Sequence, residues 1–225
     1  MNEKLKELYE NRWNDLILNS KGTDATYPLL IKVDNKYQNA HIKVMIVGQE
    51  TDGWCGVLED NKRDIVSVQD TYFNYLYKNK DKYSRPFWNR KNFKYFEEEL
   101  TKIFSDKDKK IAFIWNNISK IGKNSRGKPT QKIENLEKKY FNIFEKELKI
   151  LNPDIIIFTT GNRKIPIEHK KIKPIKEEPV SIVELRNYPN IIAIRTYHPN
   201  ARIKGGKKKF KKDIIELIRK KFTIL

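Results

Sequence analysis

Two short segments hold the side chains best suited to chemistry. Ile42–Trp54 reads IKVMIVGQETDGW: an apolar run, Val44–Val47, stops at Gly48 and opens onto a polar turn carrying Glu50 and Asp52. Near the C-terminus a second apolar run, Asn190–Ile194, leads into Arg195-Thr196-Tyr197-His198-Pro199-Asn200-Ala201-Arg202. In open α/β sheets ligands bind beyond the carboxyl ends of strands, which is where these turns fall. A carboxylate there can orient a water and stabilise a cation, and an imidazole can donate to a group that gains negative charge. Of the three histidines (His41, His169, His198), only His198 follows a strand-like run and precedes a proline. A third run, Ile111–Trp115, ends in Asn116-Asn117. An Asn amide offers both donor and acceptor to a base edge, although twin Asn at a strand end is also ordinary turn chemistry.

The elements that must position these residues follow from hydrophobic spacing. Met1–Leu18 has helical spacing through Leu5, Leu8, Trp13 and Leu16. Tyr72–Tyr77 and Phe87–Phe104 read as helices, the latter with Trp88, Phe93, Phe96, Leu100, Ile103 and Phe104 along one side. Lys43–Val47, Ile111–Trp115, Asp154–Phe158 and Ile191–Arg195 read as four buried strands. Lys123–Lys132, with Gly127 and Pro129, reads as a basic loop. Ile133–Leu151 reads as one amphipathic helix stopped by Asn152-Pro153. Arg163–Glu184 is irregular and Pro-punctuated, with room for short strands, and Lys207–Phe222 reads as a closing basic helix. Strands alternating with long helices predict a mostly parallel sheet with helices on both faces.

Composition narrows the class. A chain of 225 residues suffices for one α/β domain, and no repeat or linker divides it. No apolar stretch approaches the roughly 20 residues of a membrane span, and the charged N-terminus lacks a signal-peptide core. A cytoplasmic protein is expected. The single Cys55 excludes an internal disulfide and a four-cysteine metal site. The formal net charge of +18 favours a polyanionic partner, because neutralising phosphates releases counterions. Lys outnumbers Arg 37 to 10 in a chain rich in Ile and Asn, the bias of an AT-rich genome. That bias does not by itself give 47 basic residues against 29 acidic ones.

Taken together, GQETDGW, FIWNNIS, NPDIIIFTTGN and HPNARIKGG resemble, in that order, motifs of the uracil-DNA glycosylase superfamily. The likeness spans Lys43 to Gly206. The first motif departs from the usual Gly-Gln-Asp-Pro-Tyr and Gly-Xaa-Asn-Pro-Gly forms, and the lack of a cysteine set separates the chain from the iron–sulfur branches. The resemblance implies one domain over residues 1–225, with 1–40 as a helical extension packed on it. Its fold would be a three-layer α/β/α arrangement around a central, mostly parallel four-stranded sheet. It implies a monofunctional DNA glycosylase, monomeric, without cofactor, metal or membrane partner, that flips a base from single- or double-stranded DNA and hydrolyses its N-glycosidic bond.

The resemblance also assigns roles. Glu50 falls where some members carry a water-activating Asp; Asp52 is the alternative acid. His198 matches the histidine that donates to a base carbonyl oxygen. Gln49 and Asn116 or Asn117, with Asn116 preferred, would read the base edge. Trp54, Phe87 and Trp88 would stack on it, since Ser84-Arg85-Pro86-Phe87-Trp88 resembles a pocket-lining segment. Arg202 lies where the second motif carries its wedge. Lys204, Gly205, Gly206, Lys207 and Lys208 would face phosphates, the glycines allowing close backbone approach. Uracil-specific members place a Tyr at the position of Asp52, which blocks a thymine methyl. Asp52 with Gly53 leaves a small polar gate, and Asp60–Lys82 is an insertion able to shape a pocket. Both tilt the expected substrate from uracil toward a modified pyrimidine, in repair or in defence against phage DNA. Two other readings are a catalytically silent nucleic-acid- or damage-binding protein on the same scaffold, and an unrelated metal-dependent nuclease using Glu50 and Asp52.

Overall fold

Apolar runs bounded by Gly, Asn and Pro become the strands, and amphipathic stretches the helices, in a computed structural model that describes residues 1–79, 87–89, 92–105, 109–203 and 208–223. The order is α1 (Asn2–Asn19), α2 (Asn35–Gln38), β1 (Ile42–Gly48), α3 (Ile65–Phe73), α4 (Phe93–Ser105), β2 (Ile111–Asn117), α5 (Gln131–Tyr140), α6 (Phe144–Leu151), β3 (Ile155–Phe158), β4 (Val180–Ile182), β5 (Ile192–Thr196) and α7 (Lys208–Thr223). The five strands form one sheet in the order β2-β1-β3-β5-β4. β1 and β3 are parallel, with Val44 opposite Ile155 and Val47 opposite Phe158. β3 and β5 are parallel, with Ile155 opposite Ile192 and Phe158 opposite Arg195. Every residue of β3 and β5 is buried, and β1 is buried except at Lys43, the signature of strands covered on both faces.

The chain divides into two compact units of interleaved segments. The first comprises Met1–Asp34, Gln49–Asn79 and Asn116–Asn152. In it α1 packs on α3, α5 and α6 through Leu5, Tyr9 and Leu16. The second comprises Asn35–Gly48, Lys80–Trp115 and Pro153–Leu225, and it holds the sheet except for Asn116 and Asn117 at the end of β2. In this unit α4 packs on α7, with the Phe104 and Phe222 rings 4.9 Å apart.

The expected α/β class holds, with four differences, the first that the helix expected over Phe87–Phe104 starts only at Phe93, as α4, with a turn at 87–89. The sheet has five strands rather than four: β4 adds antiparallel to β5, with Val180 opposite Thr196. The buried Arg195 guanidinium holds this segment, donating to the carbonyls of Lys173 (2.6 Å) and Glu178 (3.4 Å) and to Ser181 Oγ (3.0 Å). The single helix expected over Ile133–Leu151 is two. Phe141 (φ −137°) ends α5 and Ile143 (φ −120°) precedes α6. The break lets Phe141, Ile143 and Phe144 all turn inward, and Phe141 stacks on Tyr9 at 6.4 Å. The helix expected at Tyr72–Tyr77 starts earlier, at Ile65, where Asp64 Oδ1 accepts the Ser67 N–H, and it runs on into a π-helical turn at Asn74–Lys78. Hydrogen bonds from Ser67 also hold the Asp64 carboxyl below its usual range. α6 stops as anticipated, at Asn152 in the left-handed conformation (φ 43°) just before Pro153.

Candidate functional site

The turn after β1 is laid onto the loop after β2. Within the first unit Ser119 N–H donates to the Gln49 carbonyl (2.9 Å), and Gly53 N–H donates to the Lys123 carbonyl (3.3 Å). Gly122 lies directly under Thr51: a Cβ on it would sit 2.2 Å from the Thr51 carbonyl oxygen. Glu50 and Gln49 are half-buried, and the Glu50 Oε2 atom is shielded from solvent. Asp52 is exposed, and its Oδ1 accepts the Gly127 N–H at 3.4 Å, where Gly127 takes φ +95°. The two acids thus have different settings. Glu50 is the enclosed carboxylate, and Asp52 ties down the basic loop Lys123–Lys128.

Beneath that loop lies a buried polar network that spacing alone did not reveal. Lys120 and Glu147 are wholly buried, with Nζ and Oε2 2.9 Å apart. Lys120 Nζ also donates to Asn116 Oδ1 (2.7 Å), and Asn116 Nδ2 donates to Glu147 Oε2 (3.1 Å). Tyr9 OH donates to Glu147 Oε1 (2.8 Å) and accepts the Ile31 N–H (3.0 Å). Glu137 accepts the N–H groups of Lys120 (2.9 Å) and Ile121 (3.0 Å), one on each oxygen. Burial pulls the Lys120 ammonium below its usual pKa, while the Glu147 carboxylate opposes the shift. Burial and the same carboxylate raise Tyr9 well above the normal phenol value. Glu137 keeps part of its surface in solvent, but its carboxylate is enclosed, and burial outweighs the two N–H groups to lift it to about 7. Taking both ions of such a pair out of water costs several kcal/mol each, so the pair is poor evidence of stabilisation.

This network fixes what the Asn116 side chain touches, next to Asn117. Both are buried. Asn116 Oδ1 accepts from Lys120 and from the Asn117 N–H (2.8 Å), filling its two lone pairs, and one amide hydrogen goes to Glu147. The Asn116 amide is thus part of the interior network, and its acceptor is saturated there.

In the second unit the carboxyl ends of β1, β3 and β5 lie along one sheet edge. Thr159 caps the end of β1, its N–H and hydroxyl both donating to the Val47 carbonyl at 2.9 Å. Gly161, in the left-handed conformation (φ 63°), donates its N–H to the Thr196 carbonyl (3.0 Å) and brings its Cα side to the His198 amide. His198 begins a turn closed by Ala201 N–H on its own carbonyl (2.9 Å). Its Nδ1 accepts the Asn200 N–H at 3.2 Å, which assigns the proton of the neutral ring to Nε2. Below the turn, Tyr197 packs on Phe210 at 5.7 Å, and a cavity of about 20 Å³, the room one water needs, lies between Pro199, Phe96, Asn92 and Lys211. Phe210 therefore ties the start of α7 to the His198 turn. Lys208 and Lys209 are exposed at that helix start, whose first turn holds no acid. Cations there oppose the helix dipole, and a bound anion reverses the sign.

The aromatic candidates divide differently from expectation. Trp54 is buried, edge-on to Tyr75 at 5.4 Å in the first unit. Trp88 is buried among Phe87, Phe93 and Trp115 at 5.0, 5.2 and 4.9 Å, which makes it core under β2 in the second unit. Phe87 is only half-buried at the margin of that cluster. Arg202 is exposed. Lys204, Gly205, Gly206 and Lys207, together with Ser84, Arg85 and Pro86, lie outside the described residues. Among the described residues no group of three or more His, Cys, Asp or Glu is placed to hold a metal ion, and no helix is long and apolar enough to cross a membrane. No protein-family model matches this chain, and no curated protein sequence matches it.

Proposed function

We propose that this chain is a monofunctional DNA glycosylase, acting on a base in DNA whose phosphates meet its basic surface. The observation that carries the reading is the His198 turn: an imidazole whose Nδ1 accepts the Asn200 N–H, leaving Nε2 to carry the proton of the neutral tautomer, two residues beyond the carboxyl end of a parallel strand. An Nε2–H donor suits a base carbonyl oxygen that gains charge as the glycosidic bond breaks. The parallel strand β1 of the same sheet ends at Gly48, and Glu50 follows two residues later in the chain. In this reading the Glu50 carboxylate orients the attacking water and stabilises the oxocarbenium character of the sugar. The hydrolysis balances simply: water supplies OH to C1′ and its proton goes to the departing base. By the resemblance, the exposed Asp52 stands where uracil-specific enzymes carry the tyrosine that excludes a methyl group, and a carboxylate followed by glycine makes a smaller, polar gate. A pyrimidine with a 5-substituent is therefore the favoured substrate class. The net charge of +18 and the lysines at the start of α7 support the DNA partner.

The test is release of free base from oligonucleotides bearing uracil, hydroxymethyluracil, hypoxanthine or glycosylated hydroxymethylcytosine, followed by chromatography. Glu50→Gln should keep the affinity for DNA and lose most of the single-turnover rate. DNA binding with no base released from any substrate would leave a silent binding protein. Strand cleavage abolished by EDTA would indicate a metal-dependent nuclease instead.

A further inference from the structure

The Lys120–Glu147–Asn116 network fills space that apolar side chains of similar volume would fill without desolvating two ions. What its members hold is backbone. Lys120 is fixed at three points: its N–H on Glu137 (2.9 Å), its carbonyl accepting from Leu29 N–H (2.8 Å), and its ammonium on Asn116 and Glu147. Ile121 is fixed by the second Glu137 oxygen (3.0 Å). The residues on either side of this pinned pair are those that meet the turn carrying Glu50. Ser119 donates to Gln49, Gly122 underlies Thr51, and Lys123 accepts from Gly53.

We infer that Lys120 is a positioning residue: its buried ion pair with Glu147 clamps Ser119–Lys123 into the template on which Gln49–Gly53, and hence Glu50, is held. The functional consequence rests on the glycosylase reading; the clamp itself does not. Lys120 and Glu147 are fully buried, so neither touches a substrate, and any effect of the pair on Glu50 passes through the loop. A network serving general stability alone would be replaceable by neutral side chains with the turn undisturbed.

The experiment uses the full chain with Lys120→Met and Glu147→Gln together, so that neither ion is left alone in the interior and Gln keeps an acceptor for the Tyr9 hydroxyl. Urea unfolding establishes that the variant is folded. Amide hydrogen exchange then reads the N–H groups of Ser119 and Gly53, with those of β3 as the internal reference. Both turn amides should exchange about tenfold faster or more while β3 is unchanged, the pattern of local rather than global opening. Single-turnover base release should fall by about 10- to 100-fold with the DNA Kd unchanged, as expected when a catalytic group is displaced by an ångström or less. Should the double variant not fold, Lys120→Met alone carries the same test, because it removes the ion pair while Tyr9 and Asn116 still donate to Glu147. A folded variant with wild-type exchange at both amides overturns the inference. Faster exchange in the variant, where the wild-type chain releases no base from any substrate, leaves the clamp standing and removes the glycosylase reading.

Discussion

Gly122→Ala separates a steric role from a conformational one at the base of the candidate turn. Gly122 does not use the left-handed conformation, so its backbone accepts an alanine. The added methyl would lie 2.2 Å from the Thr51 carbonyl oxygen, 2.8 Å from its Oγ1 and 3.1 Å from its carbonyl carbon. An ordinary C···O contact is about 3.3 Å, so something must move by about 1 Å. The oxygen belongs to backbone, and no rotamer change relieves it. Overpacking of this kind costs about 1–3 kcal/mol. The displaced segment is Glu50–Asp52, so the rate loss should exceed what stability alone explains, on the order of 10² for a 1 Å misplacement. Urea midpoints at constant m-value give the first quantity, and single-turnover base release at saturating enzyme gives the second. Gly127→Ala is the control: its φ of +95° makes alanine strained, but its nearest neighbour is the Lys123 Nζ at 4.0 Å. That variant should lose about 1–2 kcal/mol with the rate largely kept. Wild-type midpoint and rate in Gly122→Ala, or a greater rate loss in Gly127→Ala, would refute the packing argument.

His198→Ala should lower base excision by about 10²–10³ while leaving DNA affinity nearly unchanged, since the Nε2–H acts on charge that develops in the transition state; equal single-turnover rates would end that role. Reversing the charge of Lys208, Lys209 and Lys212 on α7 should flatten the plot of log K against log salt by about 0.9 for each phosphate left unneutralised, and an unchanged slope would put this helix face in solvent. Glu137 sets a pH dependence of known sign. Between its unfolded value of 4.5 and its folded value of about 7 the folded chain holds a proton that the unfolded chain has released, so stability falls as pH rises through that window. The upper bound is about 3 kcal/mol, reduced by the residual hydration of Glu137, and Glu137→Gln should flatten this part of the urea-midpoint profile.

The parallel strands were legible because a strand buried on both faces carries a near-continuous apolar run. Val44–Val47 and Ile155–Phe158 are unbroken apolar runs ended by Gly48 and Thr159, and Ile192–Ile194 is a third that runs on into Arg195 and Thr196 within the same strand. The same runs placed Glu50 and His198 beyond strand ends. β4 was not legible because its three residues owe their conformation to a partner. Val180–Ile182 has no pattern of its own, and it pairs because β5 offers it an edge and Arg195 reaches across to hold Lys173, Glu178 and Ser181. The break inside Ile133–Leu151 was hidden for a related reason. Leu136, Ile143, Phe144 and Leu148 keep a helical period through it, and only the inward turn of Phe141 onto Tyr9 requires the interruption.

The buried network was written in the sequence in a different script. Glu147 stands between Phe144 and Leu151 on the apolar stripe of α6, three residues from one and four from the other, so helical spacing alone sends it inward. Tyr9 stands four residues after Leu5 on the stripe of α1, and Lys120 stands between Ile118 and Ile121. Each polar residue at an inward position needs a partner of matching chemistry: an acid, a hydroxyl and an ammonium on three separate elements. Spacing identifies the positions but cannot show that they converge, because the convergence spans 138 residues from Tyr9 to Glu147. Convergence also changes what Asn116 is for. Read along the chain, an amide at a strand end faces a ligand; in the folded unit its acceptor is saturated by Lys120 and the Asn117 N–H, and its donor serves Glu147. In the glycosylase reading, recognition of a base would therefore have to draw on groups outside the Asn116 acceptor. In that reading Gln49 is the other base-reading candidate: it is half-buried, its backbone carbonyl is fixed by Ser119, and it precedes Glu50 in the sequence.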